Sequence, residues 1–265
     1  MTPEQQQLID RAVRWLETNP RIEALWLAGS LGRGQGDVWS DVDLLALCAP
    51  GSFADLAREL VAGADAIAPS LLVQPLFGGR VVNMVLEGWQ RLDISLIEPA
   101  DLSRYDAGWL TRLFDRAGAE PTGRYPDSYA AMPQSVLPIV NEFLRVLGLA
   151  PVVAGRGEYV LLMAGCDQLR RLTIDLMLEE NAVPPWARGG ALSRMPLLTG
   201  AQNESLFALP PLAPTLESAL AGHVALAGLF LPRARALAAR IGAVWPERFE
   251  QGTRDHLRAA LGVTI

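Results

Sequence analysis

Residues 27–47 read LAGSLGRGQGDVWSDVDLLAL, and this stretch decides the fold. Gly29-Ser30 opens a glycine-rich segment, ten residues separate Ser30 from Asp41, and Asp43 follows two further on. The chain then turns apolar. A short apolar run bounded by turn residues reads as a strand, 42–48. Side chains alternate across a strand, so Asp41 and Asp43 point to one side and Val42 and Leu44 to the other. Two carboxylates so placed repel each other. Solvent at a strand end relieves the repulsion, and so does a shared divalent cation, since hard oxygen ligands suit Mg²⁺. Asp37 precedes the strand and reads as a turn residue.

Outward from this stretch, Thr2-Pro3-Glu4-Gln5 marks a helix start with a capping box, and Leu8, Ile9, Ala12, Val13, Trp15 and Leu16 recur at helical spacing until Asn19-Pro20. Residues 22–28 read as a strand and 52–62 as a helix capped by Ser52. Residues 71–76, 81–86 and 91–97 read as three more strands, the last two a hairpin, with Gly78-Gly79 and Gly88 at the turns. The turn-rich run PTGRYP (121–126) ends this pattern. Downstream the periodicity is helical throughout: 134–148, 157–181, 203–207, 214–230, 232–242 and 246–260. The expected class is α+β: a mixed sheet with flanking helices over 1–122, followed by an all-α domain over 123–265.

A third acid completes the picture. In 91–97 the residues Leu92, Ile94 and Leu96 form one face, while Asp93 and Ser95 lie on the other. Aspartate is disfavoured inside a strand. If this strand neighbours 42–48, then Asp41, Asp43 and Asp93 form a cluster able to hold one or two Mg²⁺ ions against a nucleotide's phosphates. Gly29 lets backbone approach a phosphate, Ser30 offers a hydroxyl, and a following helix N-terminus offers N–H groups. No GK[ST] follows, so this is not a Walker loop.

These residues together resemble the nucleotidyltransferase superfamily of the DNA polymerase β type. The nearest branch comprises the enzymes that adenylylate aminoglycoside or lincosamide antibiotics. The motif covers residues 29–93. A weaker resemblance to that branch's substrate domain runs through RRLTIDLMLEEN (170–181) and PPWARGGALSRMP (184–196). The resemblance implies that Gly29 and Ser30 hold the triphosphate of an NTP, with ATP as co-substrate. It implies Asp41 and Asp43 as Mg²⁺ ligands and catalytic residues, and Asp93 as a third ligand, the general base, or both. Glu87 is the alternative base. Relatives commonly place a lysine of the helical domain on the phosphates. This chain has no lysine, so Arg188 or Arg194 would have to stand in. Arg33, in the glycine loop, and Arg170 are further candidates for phosphate contact. Arg170 and Arg171 are equally suited to pairing with helical acids. Asp167 and Glu158 read as helix-surface residues, and Trp39 as a candidate to stack on a base.

Composition narrows the partners. The net charge is −6, with −7 over residues 1–122 and +1 over 123–265. Neither half has the basic excess of nucleic-acid binding, so no nucleic-acid partner is expected. The longest apolar candidate, 216–231, is too short and is interrupted by Glu217 and His223, so no membrane partner is expected. The first residues read as a capped helix rather than a signal peptide, and Cys48 and Cys166 as buried thiols, which suits a cytoplasmic enzyme. His223 and His256 read as structural or exposed. The expected substrates are an NTP and a small molecule with an acceptor hydroxyl. The weakly charged helical half favours a neutral or weakly basic acceptor over a polycation. The sequence leaves a homodimer open. An antitoxin-like protein that binds or modifies a protein partner is the alternative.

Overall fold

The computed structural model describes residues 1–190 and 193–265; Ala191 and Leu192, inside the quoted basic segment, lie outside the described residues. The chain forms two compact units, Met1–Pro126 and Asp127–Ile265. The expected break followed residue 122, but the next residues stay with the first unit. Thr122 donates its N–H to the Leu102 carbonyl, Gly123 bridges to Asp106, and Tyr125 donates its N–H to the Asp106 carboxylate at 2.8 Å.

The first unit contains α1 (Pro3–Glu17), β1 (Ile22–Leu27), the single turn α2 (Gly29–Gly32), β2 (Val42–Cys48), α3 (Phe53–Gly63), β3 (Ser70–Leu76), β4 (Val81–Leu86), β5 (Arg91–Ile97) and β6 (Thr111–Asp115). Thr2 and Gln5 form the expected capping box on α1. Ser52 does not cap α3; its hydroxyl donates instead to the Ala49 carbonyl, back into the preceding turn. The sheet order is β3-β4-β5-β2-β1-β6. β2 and β5 run parallel, while the other neighbouring pairs are antiparallel. β6 was not expected. Its sequence, TRLFD, is short with a charge at Arg112 and at Asp115, and it forms an edge, where burial gives little pattern to read.

The two sheet faces have different neighbours. Val42, Leu44 and Ala46 of β2 and Leu92, Ile94 and Leu96 of β5 join Leu8, Ile9, Ala12 and Leu16 of α1 and Leu56 and Leu60 of α3 in one core. Leu45 and Leu47, with Ala24, Trp26 and Ile97, pack on the other face. By alternation Asp43 and Asp93 belong to that second face, where the apolar layer gives out towards the strand starts.

The second unit contains α4 (Pro133–Gly148), α5 (Ala150–Gly155), α6 (Tyr159–Glu180), α7 (Gly200–Phe207), α8 (Leu216–Arg240) and α9 (Glu247–Leu261). The two helices expected at 214–230 and 232–242 are one. Pro232 sits inside α8. Proline removes one backbone donor, but Phe230, Leu231, Ala234 and Leu237 are all buried, and packing carries the helix across the missing bond. The longest apolar run also differs from expectation. Pro133–Gly155 is long and apolar enough to cross a bilayer by length and composition, with a mean hydropathy of 1.7. On it Val136, Val140, Phe143, Leu144 and Leu147 are buried in the core of this unit, while Leu149 and Val152 are exposed. Phe143 and Phe230 stack there at 3.7 Å between ring centres.

With every cation an arginine, the buried acids of this unit are held by guanidinium groups. Glu179 accepts from Tyr129, Ser135 and Arg188, and Glu250 from Arg235, Trp245 and Arg254. Both cysteines are free and buried. His223 is buried, 2.8 Å from the Ala219 carbonyl and 3.1 Å from the Cys166 thiol, while His256 is exposed.

Truncating Phe143 to alanine removes one ring of the stacked pair and leaves a cavity, so the variant is expected to lose about 3–5 kcal/mol of stability. Denaturant unfolding followed by circular dichroism measures this. A loss below about 1 kcal/mol would contradict the packing described.

Candidate active site

The parallel pairing of β2 and β5 sets Asp43 directly opposite Asp93. Asp41, two residues before Asp43 and just outside the strand, adds a third carboxylate. One oxygen from each of the three lies within 4.8 Å of the others, and all three residues are half-buried. Like charges this close repel, and half-burial limits the water that screens them. Burial first, then the charges of Asp41 and Asp93, push the Asp43 carboxyl up to about 6. Burial likewise raises Asp93, opposed by a hydrogen bond from Asn83. A hard divalent cation suits this donor set, three carboxylate oxygens converging from two neighbouring strands.

The groups around the cluster fix each acid. Asn83 stands opposite Asp93 on β4 and donates its amide to Asp93 Oδ1 at 2.6 Å, leaving the second oxygen. Arg91 places Nη1 3.4 Å from Asp41 Oδ2 and donates Nη2 to the Trp39 carbonyl at 2.8 Å. Gln5 of α1 donates to the carbonyls of Asp37 and Ser40, both at 2.9 Å, and so ties down the loop that delivers Asp41. Asp37 stays out of the cluster. Its carboxylate accepts from the Trp39 N–H and the Ser40 hydroxyl, which holds it below the usual carboxylate range and closes a turn.

Gly29 is required twice over. Its φ is +60°, and a Cβ there would lie 1.8 Å from Asp43 Oδ2. The Ala28 N–H donates to the Asp43 carbonyl at 2.8 Å, so the turn and the strand bearing Asp43 are locked together. The helix after the motif is a single turn, Gly29–Gly32, whose first N–H groups have no acceptor within the helix. Ser30 is half-buried, and among the described residues its hydroxyl makes no hydrogen bond. Arg33 follows, with its guanidinium over the Trp109 ring at 4.9 Å and its Nε 3.2 Å from Gln35 Oε1. Its charge is felt at Asp43.

Each of the other predicted residues has its own surroundings. Glu87 lies in the exposed turn between β4 and β5. In the second unit, Arg170 pairs with Asp167 at 2.5 Å. Arg188 is nearly enclosed, donating to buried Glu179 at 2.5 Å and to the Val183 carbonyl. Arg194 pairs with Asp175. Arg171, Asp167 and Glu158 are exposed. The sequence reading passed over Asn83, Arg91 and Gln5. Asn83 had a signal, a polar residue inside the apolar run VVNMVL; Gln5 was read only as a helix cap.

No protein-family model matches this chain. No curated protein matches it either. Solved structures do, over nearly its whole length. An aminoglycoside 6-adenyltransferase from Bacillus subtilis is 16% identical, with 98% of this chain and 99% of that one covered and a TM-score of 0.46. A nucleotidyltransferase-like protein from Exiguobacterium sibiricum is also 16% identical, covering 98% and 88%, with a TM-score of 0.34. The CCA-adding enzyme of Thermotoga maritima, solved with a tRNA, is 14% identical, covering 99% and 71%, with a TM-score of 0.36. At these TM-scores the likeness carries no argument about chemistry, which rests on the carboxylate cluster.

Two outcomes follow from the geometry. Asp43 is harder to ionise in the fold than in the unfolded chain. Its contribution to stability is therefore full below pH 4 and lost as pH rises through about 6. Asp43→Asn should raise the stability of the metal-free protein by about 1–3 kcal/mol at pH 7.5 and by almost nothing at pH 4. Thermal melts in EDTA at the two pH values measure this, and equal effects at both would contradict it. Gly29→Ala should push the Asp43 carboxylate aside and weaken Mn²⁺ binding about 10–100-fold while the chain still folds. Unchanged Mn²⁺ affinity by calorimetry would contradict the contact.

Proposed function

We propose that the chain is a Mg²⁺-dependent nucleotidyltransferase that moves AMP, or another nucleoside monophosphate, from an NTP to a hydroxyl of a small molecule and releases pyrophosphate. The observation that carries this is the convergence of Asp41, Asp43 and Asp93 beside the Gly29-Ser30 turn. Asp41, Asp43 and Asp93 would hold one or two Mg²⁺ ions. When bound, such ions neutralise phosphate charge and bring the attacking and leaving oxygens into line.

The chain's own groups do the rest. The Gly29–Gly32 turn and the Ser30 hydroxyl bind phosphate oxygens, with Arg33 adding charge. The acceptor oxygen attacks the α-phosphorus; a new O–P bond forms, the bond to the bridging oxygen of the β-phosphate breaks, and pyrophosphate leaves. The acceptor's proton passes to Asp93 Oδ2, the oxygen that Asn83 leaves open. Asp93 is preferred to Glu87 because it stands in the cluster, whereas Glu87 is exposed on a turn. ATP is the preferred donor and a neutral or weakly basic compound of lincosamide type the preferred acceptor, with aminoglycosides second. Cytoplasmic location and the absence of nucleic-acid and membrane partners belong to the same proposal. So does phosphate contact by Arg188 or Arg170, which for Arg188 requires release from Glu179.

Pyrophosphate release from ATP across a panel of hydroxylated small molecules, both antibiotic classes included, tests the reading. Asp93→Asn is expected to lower kcat about 10²–10⁴-fold with little change in KM for ATP, as removal of a general base does. Turnover by Asp93→Asn at the wild-type rate would overturn the assignment of the base. Wild-type turnover by Asp41→Ala would overturn the metal site itself.

A further inference from the structure

A cavity of about 840 Å³ opens between α1 and the turn that joins β4 to β5, and none of the three acids of the cluster lines it. That volume is typical of a small-molecule site. Leu8, Arg11, Trp39, Glu87, Trp89 and Arg91 are among its walls. Three of these are not explained by the fold.

Trp39 is 82% exposed and Trp89 77% exposed, in a unit whose Trp26 is 2% exposed. Two indoles kept in water beside one cavity cost hydrophobic free energy that the fold does not recover. Trp89 is also held at φ +57°, a conformation that suits glycine and strains a bulky side chain. Arg11 is the third. Glu4, Gln7, Leu8 and Arg11 line the cavity from one face of α1, at helical spacing. The Nε of Arg11 is shut off from solvent and has no hydrogen-bond partner, and among the described residues no carboxylate lies within ion-pair distance of it. Arg91, by contrast, already serves Asp41 and the Trp39 carbonyl.

We infer that this cavity is a binding site for a planar aromatic compound bearing an anionic or strongly hydrogen-bond-accepting group. The ring lies against Trp39 and Trp89, and the accepting group meets Arg11. Indoles offer ring faces for stacking, and a guanidinium pairs with a carboxylate through two parallel hydrogen bonds. The two acids on the wall, Glu4 and Glu87, are exposed and water-screened, whereas Arg11 is half-buried with no carboxylate at ion-pair distance among the described residues.

Three probes of one shape separate the possibilities: 4-hydroxyphenylacetate, 4-hydroxyphenylacetamide and tyramine, an anion, a neutral amide and a cation on the same ring. Each is titrated into the full chain labelled with ¹⁵N at its indoles, with Trp39→Phe and Trp89→Phe supplying the assignments. The anion is expected to shift the Trp39 and Trp89 signals alone and to bind at least about tenfold tighter than tyramine, the worth of one hydrogen bond to a charged group. Arg11→Gln is expected to remove that preference and leave the other indole signals unmoved, which shows that the variant is folded. Tighter binding of tyramine, the same preference in Arg11→Gln, or no shift with any probe would each overturn the site. These titrations need neither nucleotide nor metal. Asp93→Asn is expected to leave them unchanged, so failed nucleotidyl transfer with retained probe binding would sink the transfer reading and spare the site.

Discussion

Repulsion among three carboxylates is the constraint on which this structure turns. A chain that sets oxygens of Asp41, Asp43 and Asp93 within 4.8 Å of one another accepts a standing cost: burial first, and then the charges of Asp41 and Asp93, push the Asp43 carboxyl up to about 6. The surroundings are arranged to keep the acids there. Packing of α1 and α3 on one sheet face fixes β2 against β5, and that parallel pairing fixes Asp43 against Asp93. Gln5, at the start of the same α1, holds the loop that brings in Asp41. Gly29 leaves the space that the Asp43 carboxylate occupies. Removing the repulsion would stabilise the fold, and a cation is the ligand that removes it without removing the acids.

Much of this was legible in the sequence where one periodicity ran cleanly. VDLLALC is a short apolar run and RLDISLI alternates, and their limits agree with β2 and β5 residue for residue. Alternation also put Asp43 and Asp93 on the same kind of face before any pairing was known. The register that sets them opposite each other was not in the sequence, because it depends on a parallel crossover connection through β3 and β4. Elsewhere local signals lost to tertiary packing. Pro232 argued for a helix break, and buried contacts on both sides of it overruled that. Ser52 has the right residue type for a cap and bonds to Ala49 instead. At β6 an exposed edge gave no pattern to find.

The side chains that position the acids were the hardest to foresee. Asn83 and Arg91 act only through neighbours on other strands, ten residues and fifty residues away in the chain. The arginine-only composition shapes the helical unit in the same way. Arg188, Arg194 and Arg233 are drawn to Glu179, Asp175 and Glu180 along the last turns of α6, so an arginine that looked available in the sequence is engaged in the fold.

The central claim is that Asp41, Asp43 and Asp93 form one metal site facing a nucleotide. A crystal structure with Mn²⁺ and a non-hydrolysable ATP analogue tests it directly through anomalous scattering. The account predicts a Mn²⁺ peak about 2.0–2.3 Å from oxygens of at least two of the three carboxylates, with the analogue's phosphates beside Gly29 and Ser30. An analogue bound away from that turn, or bound with no anomalous peak among the three acids, would contradict it.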